Sequence, residues 1–484
     1  MKSMKIKNMK NRKKTTRKAD PGNLLSLVCG AIDQLIESAQ AFNGLLFPSV
    51  LEIKSGKVPK DLPPAIPGQR DCDRAFPCGS NLTHDHSVLR LMYDLAGSTG
   101  ETCYRDAADG YLRHWSLHCT TTPTGLFPWG EHAFWNLEED RPGSSYALAR
   151  VYTMPTHDHL IQAPAWLWEK LWEFNYREVE RFCLALENHF LDVENPLQYN
   201  RHANLLRRHP MRKRHEGHCD FPRHSGFHIY DWSFAYAKTG SPTYRRLLVR
   251  SLDYWWERKY ECGLLATDTA TISRRLAAPC QTLSLCATLY EAAALIAPKD
   301  PDLAKVVTSR AATYCKGLTD LLDNSPKGEL PHQINVDTKV ATLGTPVWEG
   351  AYGLRDVAGE ALLSLCIHRI NKDPRLLEFA KDVARLYAKT AFPTDKNIPI
   401  VVCGCLLLLL TDLFSLTGDE EWLDMAEAQA GKLAPLYMND GLPRGATGIE
   451  IYESQLLPGY FLRGLARIAF LRKGRDIGAD YTRR

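Results

Sequence analysis

The sequence predicts an all-α protein, a closed (α/α) toroid of six to seven helical hairpins. Three observations lead there. From about residue 86 onward the chain repeats helix, short turn, helix; the turns share one chemistry; and no segment alternates apolar and polar residues as a half-buried strand would. The links that follow the second helix of each unit, such as Thr120 to Pro155 and Asp192 to Phe227, are long and rich in Gly, Pro, aromatic and charged residues. Short links suit an open solenoid, whereas long ones can gather over one end of a closed ring and build a cleft.

The elements follow in order. Lys2 to Lys18 is densely basic with few apolar residues, so residues 1–20 are expected to be a disordered tail and residues 21–484 a single barrel domain. The apolar run from Leu24 to Ile32 follows Asp20-Pro21-Gly22-Asn23, which reads as a helix start rather than an export signal. Gly ends a helix at Ser98-Thr99-Gly100-Glu101, Thr239-Gly240-Ser241-Pro242 and Thr417-Gly418-Asp419. Lys299-Asp300-Pro301 and Lys372-Asp373-Pro374 mark turns with Pro in the next first helical turn. Glu173-Phe174-Asn175-Tyr176 is a weaker sixth mark. Four residues after these marks stand Tyr104, Val179, Tyr244, Leu303, Leu376 and Trp422, the spacing at which a helix turns an apolar side chain inward. The N-terminal helix and one near Leu456 to Leu471 form a closing pair. Ile400 to Leu410 is too short to span a bilayer and reads as a buried core helix.

Composition narrows the function. A net charge of +4 over 484 residues gives no global electrostatic case for nucleic acid, and no membrane segment is expected. The 14 cysteines form no metal motif, and most sit on apolar helix faces. Reduced thiols and the lack of an evident export signal predict a cytoplasmic protein acting on short imported oligosaccharides.

Chemistry concentrates on three links. The first holds Trp129-Gly130-Glu131-His132, the second Thr156-His157-Asp158-His159, leading into Trp166, Trp168 and Trp172. The third opens with Tyr199-Asn200-Arg201-His202 and runs to His224, with seven Arg/Lys and five His against Glu216 and Asp220. Imidazole beside carboxylate suits a first-row divalent metal, Trp faces suit sugar rings, and clustered cations suit an anionic ligand. Trp166, Trp168 and Trp172 follow a helical period and read as core.

The order Gly-containing His segment, His-Asp segment, aromatic helix Trp166 to Asn175 and then Arg201-His202 resembles polysaccharide lyase family 2, pectate lyases on an (α/α) barrel. Phe221-Pro222-Arg223-His224-Ser225-Gly226-Phe227 and Gly353-Leu354-Arg355-Asp356-Val357-Ala358 add to the resemblance. It implies that His132 and His202 hold a divalent cation, manganese or calcium, and that Arg201 is the catalytic base. The family's third ligand, a glutamate, aligns with Leu160, so Asp158 or His159 must substitute or the metal site is altered. The implied partner is an acidic oligosaccharide or polysaccharide, cleaved by metal-assisted β-elimination. Trp129, Glu131, His159, Arg207, Arg208, Arg223, His224, Trp348 and Glu349 are the expected substrate-binding residues, and Arg212 another carboxylate holder. Because arginine is normally protonated, His209 or His224 is the chemically easier base. A glycoside hydrolase using carboxylates among Glu131, Asp158, Asp231 and Glu349 is the main rival; a sugar epimerase with His bases and a non-catalytic helical scaffold follow.

Overall fold

The computed structural model describes residues 20–42, 44–148, 154–158, 161–190, 199–208, 221–345, 347–349, 356–438 and 441–483. The basic tail, His159, Leu160, His209 and Arg212 lie outside them.

Thirteen helices are present among the described residues, and the turn chemistry sets their ends. The helix α1 (Pro21–Ala39) starts where the Asp20 carboxylate accepts from Gly22 N at 3.1 Å. The hairpins are α2 (Leu82–Thr99) with α3 (Thr102–His114), α5 (Pro222–Thr239) with α6 (Pro242–Glu257), α7 (Pro279–Ile296) with α8 (Pro301–Leu322), α9 (Val357–Asn371) with α10 (Pro374–Lys389), and α11 (Ile400–Thr417) with α12 (Glu420–Tyr437). Gly100, Gly240, Gly418 and Lys372 take the left-handed conformation at these turns. The final helix α13 (Pro458–Leu471) pairs with α1, as the closing pair required. Asn175 marks a kink inside α4 (Ala165–Ala185) rather than a separate hairpin turn: its φ is −157° and its side-chain amide donates to Ser116 O at 2.8 Å.

The inner ring runs α5, α7, α9, α11, α13, α2, with α4 closing the gap between α5 and α3. Inner helices are buried around most of their circumference, so they lack the one-sided pattern of the outer helices. In α11 all residues from Ile400 to Leu413 are buried, and Gly404 lets it approach α13: a Cβ there would lie 2.6 Å from Phe461 N. Outer helices bury one stripe, for example Leu376, Phe379, Ala380, Val383 and Tyr387 on α10. The α11 helix is long and apolar enough to cross a membrane, yet 78% of that window is buried inside the protein.

Because each inner helix follows an outer one through a link, the links gather at the end of the ring where the inner helices begin. There the structure departs from the expectation of no strands. Short antiparallel ladders tie the links together: Ala133–Asn136 pairs with Arg141–Ser144, and Thr156–His157 with Ala203–Asn204. Two to four residues are too few to write a period-two pattern into a sequence.

Residues 476–483 run between the helices. Arg467 of α13, wholly buried, donates to Asp412 of α11 at 2.9 Å and to Asp476 at 2.7 Å. Thr482 Oγ1 lies 2.8 Å from His86 Nε2 and 2.6 Å from the Tyr460 hydroxyl, and Arg483 pairs with Asp356 at the start of α9. Arg467 holds Asp476 well below the usual carboxylate range, outweighing the opposing effect of burial. Arg467→Ala would take the one guanidinium from Asp476 and leave Asp412 to Arg369 and Tyr481, and is expected to cost about 3 kcal/mol, measured by chemical denaturation.

Candidate functional site

Three links supply one polar cluster. Asn81, the residue before α2, donates its side-chain amide to Gly130 O at 2.7 Å and Ala133 O at 3.1 Å, fixing the first link to the inner ring. The ladder of Thr156–His157 with Ala203–Asn204 then sets Asp158 beside Arg201 and His202. One ligand atom each from Glu131, His132, Asp158 and His202 lies within 4.8 Å of all the others.

Gly130 makes this approach possible. Its φ is +103°, and a Cβ would sit 2.0 Å from Asp158 O and 2.4 Å from Asp158 Oδ1. Asp158 Oδ1 instead accepts from Glu131 N at 2.6 Å, and its other oxygen faces His202 Nε2 at 3.9 Å. The His132 ring is oriented from behind: Nδ1 is 3.0 Å from Cys72 O, so it carries the proton and donates there, with Ser145 Oγ at 3.2 Å. Its Nε2 is buried, has no hydrogen bond of good geometry among the described residues, and stands 3.3 Å from Glu131 Oε2. A histidine held by Nδ1–H on a carbonyl, with Nε2 turned toward carboxylates, is the arrangement of a metal ligand.

Arg201 is 19% exposed and bridges the cluster. Its Nη2 donates to Glu131 Oε2 at 3.2 Å and its Nε to His202 Nε2 at 3.0 Å. Burial pushes the Asp158 carboxyl well above its usual range, with the Glu131 charge adding to it and His132 and Arg201 opposing. For His132 burial alone would lower the ring, but the carboxylates of Glu131 and Asp158 outweigh it and the pKa rises. Two carboxylates and two imidazoles in a nearly dry pocket form a donor set for a divalent cation, and the residues present fit one.

Of the expected residues, the structure brings together His132, His202, Asp158, Glu131 and Arg201. Glu131 stands among the potential metal ligands, beyond the substrate-binding role expected of it. Trp129 is corrected: it is 1% exposed, packs on Trp168 and Phe182, and donates to His157 Nε2 at 3.0 Å, so it offers no face to a sugar. Trp348 is likewise buried against Tyr387 and Phe392, and Glu349 pairs with Lys396. His224 is 1% exposed beneath Tyr199 and Phe221, which removes it as an accessible base. Arg223 starts α5, its N–H on Gln281. Arg207 and Arg208 are exposed, and Arg208 lines a surface hollow with Pro123, Thr124, Arg181 and Glu187 rather than the cluster. Asp231 is a core group that accepts from Trp168 Nε1 at 3.0 Å.

The sequence reading missed Tyr146, whose half-buried ring stacks on His132 at 4.3 Å and meets His202 edge-on at 6.2 Å. Nothing in its neighbourhood of the sequence distinguishes it. Also missed is a buried side-chain chain from Trp129 through His157 and His189; the His157-Asp158 pair was its visible trace. Gly130→Ala is expected to displace Asp158 and abolish divalent-ion binding while the helical far-ultraviolet spectrum persists, which titration with manganese and circular dichroism would check.

The family model described as periplasmic pectate lyase matches residues 70–227. That description overturns the cytoplasmic expectation and removes the basis for assuming short imported oligosaccharides. No curated protein matches the chain. Among solved structures, a D-mannose isomerase is 10% identical over 92% of this chain and 97% of that one, with a TM-score of 0.47. An unsaturated glucuronyl hydrolase specific for heparin is 14% identical (95% and 100% covered, TM-score 0.43), and a GH76 α-mannanase from Bacteroides thetaiotaomicron 11% (94% and 100%, 0.43). Likenesses this remote carry no argument about the chemistry here. The matched segment holds Arg201 and all four clustered residues.

Proposed function

We propose that the protein is a lyase that cleaves uronic-acid-containing glycans of the pectate kind by β-elimination. The single observation that carries this reading is the convergence of Glu131, His132, Asp158 and His202 around one point, with Arg201 at its edge, inside the segment matched by the lyase family. Those four residues would hold a divalent cation. Bound there, the cation would neutralise the uronate carboxylate, acidify the C5 hydrogen beside it and compete with Arg201 for Glu131.

The chain's own groups supply the rest. Arg201 is the cluster's partly exposed cation, held between Glu131 and His202, and would meet the sugar at the reacting carbon. In the reaction, the C5–H bond breaks, its electron pair forms the C4–C5 double bond, and the C4–O bond to the neighbouring sugar breaks with its pair on the oxygen, which takes a proton from water. Arg201 is the group placed to take the C5 proton, which it can do as the neutral guanidine, the form favoured by loss of its carboxylate partner and by other positive charges around it. Tyr146 covers the imidazoles.

The hydrolase reading has less support. Glu131 and Asp158 share one small, buried cluster, whereas a hydrolytic pair needs about 5 Å or more between carboxyl groups on opposite sides of a sugar. Asp231 is in the core and Glu349 is tied to Lys396 on the surface.

Incubation with polygalacturonate is expected to produce the ultraviolet band of an unsaturated uronide, lost with chelator and restored by manganese or calcium; reducing ends without that band would overturn the reading. Arg201→Ala is expected to lower kcat by about 10²-fold or more while the protein still binds the cation. Protons compete with a cation for Asp158 and His132, whose pKa values are both raised. Affinity should therefore fall as pH drops from neutral. Without a cation, Asp158 costs stability as pH rises through the ordinary carboxylate range, because the unfolded chain ionises first. Added manganese should accordingly raise the melting temperature more at pH 7.5 than at 5.5 by thermal shift, about neutral being the upper side of the transition.

A further inference from the structure

Behind the cluster lies a run of hydrogen bonds with a defined direction. Trp129 Nε1, which can only donate, gives to His157 Nε2 at 3.0 Å. His157 Nδ1 lies 2.8 Å from His189 Nε2, and His189 Nδ1 lies 2.7 Å from Asn200 O, which can only accept. The two ends fix everything between: His157 Nδ1–H donates to His189, and His189 Nδ1–H donates to Asn200. Both rings are then neutral and both carry the proton on Nδ1. His157 and His189 are wholly buried.

This run connects the two strands that hold the cluster. His157 immediately precedes Asp158. Asn200 is gripped at both its backbone groups by His189, since its own N–H donates to His189 O at 2.7 Å. Its side-chain oxygen in turn accepts from the backbone N–H of His202 at 3.0 Å. The path Asp158–His157–His189–Asn200–His202 thus spans the cluster from behind, through a residue on neither strand. The backbone ladder joins the strands by two residue pairs and by Leu205 N–H to Pro155 O at 3.1 Å, and these side chains add a second tie on the cluster's side of it.

We infer that His189 is a positioning residue: through His157 and Asn200 it sets the distance between Asp158 and His202, and with it the affinity of the cluster for a divalent cation. The inference rests on the proposed metal-binding reading of the cluster. The geometry also distinguishes the substitutes. His189→Gln places an acceptor where Nε2 was, keeping the bond from His157 and losing the one to Asn200. His189→Asn places a donor where Nδ1 was, keeping Asn200 and losing His157. Each cuts the path on one side, so neither restores it.

The experiment uses the full chain and manganese(II) ion alone. Binding is followed by electron paramagnetic resonance for the wild type, both His189 variants and Tyr437→Phe. The last removes a buried hydroxyl that donates to Ile398 O at 2.8 Å on the α11–α12 side, and so controls for lost stability. Ring nitrogen spectra of histidine-labelled protein report the tautomers. The expected result is two neutral Nδ1–H rings that disappear or shift in the His189 variants. Manganese affinity should fall about tenfold or more in both, and stay near wild type in Tyr437→Phe despite a lower melting temperature. Wild-type affinity in either His189 variant, an equal loss in Tyr437→Phe, or an Nε2–H or cationic ring at neutral pH would overturn the inference. If the wild type itself binds no manganese, the metal reading of the cluster fails and the positioning role falls with it. Tight wild-type binding kept by both variants defeats the positioning role alone.

Discussion

An inner ring buried on nearly every side is the constraint from which the rest of the structure follows. Helices such as α7 and α11 touch neighbours around their whole circumference, so any charge along them must be neutralised in place. The molecule meets this by placing the polar cluster on the links at one end, and by pairing buried charge within the ring, as with Arg467 between Asp412 and Asp476. The apolar wall beneath the links also gives the cluster its character. Glu131 and Asp158 are almost out of contact with water, and their mutual repulsion is answered by His132, His202 and Arg201 rather than by solvent.

Much of the fold was legible because turn chemistry is local. Gly100, Gly240 and Gly418 end helices in the sequence and in the structure, and Asp300 and Asp373 cap the helices they precede. Asn175 carries a similar local signal but responds to Ser116 on a different link, and so becomes a kink. The short ladders escaped for the same reason in reverse: pairing between His157 and Ala203 depends on what lies across the space, which two residues cannot announce.

The candidate site divides along that line too. His132, Asp158, Arg201 and His202 stand out as residue types in unusual company, and they do converge. Trp129 and Trp348 stand out as strongly, yet both are buried, because a large aromatic in a Gly-rich link serves packing as readily as recognition. Tyr146 and His189 gave no signal, since their importance is one of direction: a ring laid flat on His132, and a ring with one nitrogen turned to each strand.

Residues 476–483 bear on how such a ring can be made. They bind α2 through His86, α13 through Tyr460, α9 through Asp356 and α11 through Cys405, elements drawn from widely separated parts of the sequence. These contacts span large separations in the sequence, so a long loop must close before they reward it, which slows completion of the ring. Early hairpins would wait as loosely associated pairs with apolar inner faces uncovered, a condition that favours sticking to other chains. The arrangement therefore ties the solubility of the newly made protein to how quickly residues 476–483 dock.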